Sequence, residues 1–262
     1  MIAAVAAIAI AVALAAADPP AVSVDERLGG QVPLDLPFRD TTGATVTLGD
    51  HVGGDLPVLL VLAYARCEML CNVVLRGVVE AVRALPARPG RDYRLLLVGL
   101  DPRETVDEAI RKQAVLLGDA GLAPTDRSAW PYLLEQPGSR AVARLADALG
   151  FRYEWDPATR QYAHPAVVFV LTPDGRISRY LYGVRFALDE LRLALADAAA
   201  GVLGTPTAET VLRCFRFDPA HDARRARIQR VIQAGALTVF LGLAAILVGL
   251  FAADRRRHRR PR

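Results

Sequence analysis

Residues 58–85 read VLLVLAYARCEMLCNVVLRGVVEAVRAL, and their pattern changes partway through. Val58 to Tyr64 is an unbroken apolar run of strand length, without the alternation of a half-exposed strand, so it predicts a strand covered on both faces. From Cys71 to Leu85 the residues Val74, Leu75, Val78, Val79, Val82 and Leu85 recur at helical spacing. A buried strand that passes within a few residues into an amphipathic helix opens a β-α-β unit. Cys67 and Cys71 fall at the turn between the two.

Downstream, Arg94 to Leu100 predicts a second buried strand, closed by Asp101-Pro102. Glu104 to Leu117 predicts a second helix, with Asp107 and Glu108 early and Arg111 and Lys112 late, as the helix dipole favours. Gly118 to Gln136 shows no regular pattern, and Ser139 to Leu149 reads as a further helix. Ala166 to Leu171 and Arg176 to Tyr182 flank the turn signal Pro173-Asp174-Gly175 and predict an antiparallel hairpin. Leu188 to Ala200 closes the series as an amphipathic helix. Upstream, Pro37 to Leu48 alternates around Asp40-Thr41-Thr42-Gly43 and predicts a small hairpin along one edge. The order β-α-β-α-β-β-α, with right-handed parallel connections in its first half, is that of a thioredoxin-like α/β domain with a central mixed sheet. Its expected bounds are residues 34–203.

The chain has 262 residues, 53% of them hydrophobic, enough for one medium domain with accessories. Residues 2–17, IAAVAAIAIAVALAAA, carry no charge and end in Ala15-Ala16-Ala17, a pattern suited to signal-peptidase cleavage. Residues 1–17 are therefore expected to be a signal peptide, and residues 18–33, DPPAVSVDERLGGQVP, a linker. Val231 to Ala253 gives 23 residues without charge, long enough to cross ~30 Å of hydrocarbon as a transmembrane helix after a stalk at 204–230. Arginines flank this span on both sides, so its orientation rests on the N-terminal signal, which would send the domain outward and leave the basic tail 254–262 in the cytoplasm. The net charge of +4 suggests nucleic-acid binding, but without residues 254–262 the chain has 26 basic and 27 acidic residues. No nucleic-acid partner is expected.

The amino end of a helix offers unpaired backbone N–H groups and positive dipole, which with Arg66 favour thiolate over thiol; Glu68 opposes them. If the turn is helical, residues four apart share a face about 5–6 Å apart, close enough for a disulfide or for one shared ion. A structural disulfide, a redox pair and a soft-metal site for Cu(I) or Zn(II) are all open. Three cysteines, an odd number, argue against a disulfide framework. Among the four histidines only His164 opens a core-strand pattern, AHPAVVFVL, and in this fold the start of that strand faces the cysteines. Met69 offers either a thioether ligand or ordinary packing. Asp101, at the end of the second strand, is a candidate to orient His164 or the loop, or to cap the next helix. Cys214 is either a plain stalk residue or a thiol or metal group, with His221 seven residues on.

The segments YARCEMLC, LVGLDPRET, GFRYEWD and YAHPAVVFVLTPDGRISRYLYG together resemble the Sco (SenC) family of membrane-anchored, thioredoxin-like copper proteins, over roughly Pro37 to Ala200. The extension with RCFRFDP ahead of the apolar span resembles a bacterial branch of that family. The resemblance implies copper held by Cys67, Cys71 and His164, as Cu(I), with Cu(II) seeking a fourth donor or water. It also implies delivery to the copper-containing subunit of cytochrome c oxidase, with an upstream copper donor or thiol reductant and the lipid bilayer as further partners. Cys67 and Cys71 can also act as a redox-active pair, so an extracytoplasmic thiol-disulfide oxidoreductase is the alternative. A peroxidase fits less well, since Ala63, Tyr64 and Ala65 precede Cys67 without the Thr-x-x-Cys arrangement. The branch typically has proline directly after the first cysteine, where this chain has Glu68. Glutamate restores a backbone donor and brings an anion near the site.

Overall fold

The computed structural model describes residues 22–67, 70–123 and 126–204. In chain order its elements are β1 (Ser23–Val24), β2 (Pro37–Arg39), β3 (Thr45–Thr47), β4 (Val58–Ala63), α1 (Leu70–Ala84), β5 (Arg94–Gly99), α2 (Val106–Asp119), β6 (Tyr132–Glu135), α3 (Ala141–Ala148), β7 (Phe151–Arg152), β8 (Glu154–Asp156), β9 (Gln161–Ala163), β10 (Val167–Leu171), β11 (Ile177–Tyr182) and α4 (Leu188–Ala199).

Seven strands form one mixed sheet in the order β11-β10-β4-β5-β6-β2-β3. Its centre is parallel, β4 against β5 and β5 against β6, and an antiparallel hairpin extends it on each side. All residues of β4 and β10 are buried, as expected for strands covered on both faces. The two crossovers β4-α1-β5 and β5-α2-β6 run the same way across the sheet, so right-handed connections put α1 and α2 on one face. There α1 touches both α2 and α4. Its buried residues Cys71, Val74, Leu75, Val78, Val79 and Val82 form the stripe that the sequence periodicity marks.

The expected α/β thioredoxin-like order is present, with three additions. Gly118 to Gln136 contains β6, a central parallel strand of only four residues behind Trp130-Pro131. The stretch read as a linker is fastened from residue 22 onward: β1 pairs with β7, Val32 is fully buried, and Gln31 bridges to Arg176. Gly150, at φ +62, lets Asp25 O lie 1.8 Å from where a Cβ would stand, so this strap can approach only a glycine. The third addition is the β8–β9 hairpin, which pairs Glu154 with Ala163 and Trp155 with Tyr162. Among the described residues no helix is long and apolar enough to cross a membrane. The expected signal peptide 1–17, most of the expected stalk 204–230, the expected span 231–253 and the basic tail 254–262 lie outside the described residues.

Candidate metal centre

β10 pairs antiparallel with β4, Leu171 opposite Val58 and Phe169 opposite Leu60, so the start of β10 lies beside the end of β4. This register brings His164, just before β10, to the turn between β4 and α1. Cys71 Sγ lies 2.9 Å from His164 Nε2, and the Cys71 N–H donates to Cys67 Sγ at 3.3 Å. The three ligand atoms lie within 4.8 Å of one another, and each residue is at most 3% exposed. No disulfide joins Cys67 and Cys71.

The second ring nitrogen of His164, Nδ1, is 3.0 Å from Pro165 O. A carbonyl can only accept, so Nδ1 carries the hydrogen, and in that tautomer the Nε2 lone pair faces the Cys71 sulfur. That is the orientation a metal ligand needs. Two thiol sulfurs and one imidazole nitrogen make a soft donor set, suited to a thiophilic ion such as Cu(I), whereas structural zinc normally takes four protein ligands.

Burial outweighs the helix start at Cys71. Its thiol is pushed well above the ordinary value, first by burial and then by its contact with Cys67. The expected help from Arg66 is directed elsewhere, because its guanidinium pairs with Glu108 through Nε–Oε1 at 2.7 Å and Nη2–Oε2 at 3.0 Å. Metal binding must therefore displace the proton held by the Cys71 thiol.

Aromatic rings close the site. Phe151 lies 6.0 Å from the His164 ring, and Tyr64 meets Tyr162 edge-on at 5.8 Å. Tyr162 in turn packs on Tyr153 and Trp155, and its N–H donates to the Tyr64 hydroxyl at 3.2 Å. Asp101 serves this roof. It is buried and holds Arg103 through two bonds of 2.8 and 2.9 Å, and the Arg103 Cζ sits 4.3 Å over the Trp155 ring. Its side-chain hydrogen bonds go to Arg103, and the cap of α2 is Thr105.

The cysteine loop is held by a row of side chains that the sequence reading passed over. The Ala65 N–H donates to Glu104 Oε1, which also accepts from the Tyr132 hydroxyl at 2.7 Å. Asn72 Nδ2 donates to Cys67 O at 2.7 Å, and the Lys112 ammonium donates to Asn72 Oδ1. Lys112 is the only lysine of the chain, and that is the one signal in the sequence that marked any of them. Glu68 and Met69, and Cys214 and His221, lie outside the described residues.

No curated relative matches the chain. A candidate electron transfer protein of Aquifex aeolicus matches at 27% identity with a TM-score of 0.57, over 67% of this chain and 96% of that one. Arabidopsis thaliana ScoI, solved with copper bound, matches at 17% identity with a TM-score of 0.50, over 67% and 99%. BsSco, a member of the Sco family of cytochrome c oxidase assembly proteins in which a disulfide switch was identified, matches at 16% identity with a TM-score of 0.53, over 68% and 98%. The SCO1/SenC family profile covers residues 30–191, well over half of the chain, and holds Cys67, Cys71 and His164 within it; the chain belongs to the SCO1/SenC family.

Proposed function

We propose that this protein is a membrane-anchored copper chaperone of the extracytoplasmic space, which carries copper on Cys67, Cys71 and His164 to the binuclear copper centre of cytochrome c oxidase. The observation that supports it best is the gathering of two sulfurs and one oriented imidazole nitrogen within 4.8 Å in a buried site. As cargo, copper would be held as Cu(I) by the Cys67 and Cys71 sulfurs and His164 Nε2. His164 keeps its ring fixed through Pro165 O, the aromatic roof excludes water, and the cysteines give up their protons on loading. Release to a partner would proceed by exchange of these ligands one at a time. The uncharged span 231–253 supports anchoring, and the Ala15-Ala16-Ala17 signal supports export.

The unbridged cysteine pair favours a second reading, a thiol-disulfide oxidoreductase. There Cys67 would attack a partner disulfide and Cys71 would displace the partner's thiol. The Cys67–Cys71 disulfide would form as the partner's is reduced by two electrons and gains two protons. His164 separates the two readings. Metal analysis of the reduced full chain is expected to find one copper per chain, lost in Cys67→Ser and weakened in His164→Ala, which removes one of the three ligand atoms. Unchanged retention in His164→Ala, with unchanged reduction of partner disulfides, would favour the thiol reading instead.

A further inference from the structure

Beside the cysteine loop lies an open cleft of about 310 Å³ lined by Ala65, Arg66, Glu108, Arg111, Lys112 and Val115. Among the described residues three cations and one carboxylate line it, and Glu108 is already engaged by Arg66 and by the Thr105 cap at the start of α2. Arg111 and Val115 are exposed, Val115 at 58%, so this open surface presents positive charge beside the apolar Ala65 and Val115. Its walls are connected to the metal ligands. Glu104, Glu108 and Lys112 follow one another at four-residue spacing, one row on and ahead of α2. They hold Ala65, Arg66 and, through Asn72, the Cys67 carbonyl.

We propose that this cleft seats an acidic, partly apolar segment of the protein that receives copper, and that its occupation loosens the cysteine loop. The identity of that occupant rests on the copper-chaperone reading. Charge complementarity selects an acidic partner, because the hollow carries a local surplus of positive charge. Coupling follows from the relative strength of the bonds. Lys112 donates to a neutral amide, and a carboxylate is a stronger acceptor for an ammonium than an amide oxygen. An incoming carboxylate therefore draws Lys112 from Asn72. Asn72 then loses the contact that orients it, and the Cys67 carbonyl loses a fixed donor. A second carboxylate competes with Glu108 for Arg66 and frees the residue next to Cys67.

The test uses the full chain in nonionic detergent, a peptide acetyl-Asp-Leu-Glu-Asp-Leu-Glu-amide, its Lys-Leu-Arg counterpart, and anionic phosphatidylglycerol vesicles. Metal-free protein is expected to bind the acidic peptide alone, less tightly as salt rises, and Arg111→Glu to weaken it about tenfold. Because this arm contains no copper, it succeeds or fails separately from copper retention. In copper-loaded protein the acidic peptide is expected to speed loss of copper to a Cu(I) chelator several-fold. Lys112→Met is expected to lose copper fast without peptide and to respond little to it. Equal binding of both peptides, binding that survives Arg111→Glu, preference for the vesicles, or peptide binding without faster release would each overturn the proposal.

Discussion

Glu104 is buried at 5% exposure and accepts from the Ala65 N–H and the Tyr132 hydroxyl, while its Oε2 finds no partner among the described residues. Burial pushes its carboxyl up to about 7, with Asp101 and Glu108 adding repulsion and the two hydrogen bonds pulling the other way. A carboxyl raised in the folded state holds its proton there after the unfolded chain has released one. Stability is therefore greatest below about pH 4.5, falls as pH rises toward 7, and does not change further through this group above that. The full effect is about 3 kcal/mol. Glutamine at this position keeps an oxygen for Ala65 and Tyr132 but cannot ionise. In urea unfolding at pH 4.5, 6 and 7.5, wild type is expected to lose stability with pH relative to Glu104→Gln, by up to that amount. Parallel curves for the two proteins would show that Glu104 ionises without penalty in the fold.

The helix that carries Cys71 is fixed by a close approach along its length. A Cβ at Gly77 of α1 would stand 2.1 Å from Val184 O and 2.9 Å from Val184 C, backbone atoms that cannot turn aside. In an open helix, alanine would gain about 1 kcal/mol over glycine. Here Gly77→Ala is expected to cost a net 1–3 kcal/mol, about the size of an overpacked core site. Denaturant unfolding decides the sign, and copper content per folded chain is expected to stay at the wild-type value. How well each element could be read from the sequence followed its contacts. β4, α1, β5, α2, the β10–β11 hairpin and α4 lie within two residues of where periodicity predicts them, because each turns a regular apolar pattern to the core. β6 has four residues after a proline, and β8 and β9 have three each with a charge or an amide among them, so none of the three gives a period. Cys67, Cys71 and His164 could be read because reactive residue types sat at the boundaries of predicted elements. Glu104 and Lys112 could not, since their contacts with Ala65 and Asn72 span 39 and 40 residues and exist only once α2 lies against the loop.

At the scale of the whole molecule, the proposed copper site and the proposed membrane anchor fall on different stretches of the chain. The described part closes on itself at its carboxyl end. Gly204 N–H donates to Ser178 O at 2.8 Å, and Ser178 Oγ donates to Val202 O at 2.8 Å, so the chain is fastened to β11 up to residue 204. Cys67, Cys71, His164 and the described side chains that hold their loop lie before that point. The uncharged residues 231–253 and the arginines at 255–262 lie after it. A chain ended after Gly204 is therefore expected to remain in solution and to bind copper in the same proportion as the full chain. The full chain is expected to sediment with membranes and to resist alkaline extraction, as an apolar stretch of 23 residues requires. Tethering also raises the local concentration of a carrier near a membrane-bound acceptor, without adding any contact between them. Cells that express only the shortened chain should therefore mature less oxidase at equal protein levels, and should recover when it is overproduced. Membrane fractionation, copper per folded chain and oxidase activity at two expression levels check this together. A full chain found in the soluble fraction would remove the anchor, and a shortened chain that loses copper would place part of the metal site beyond residue 204.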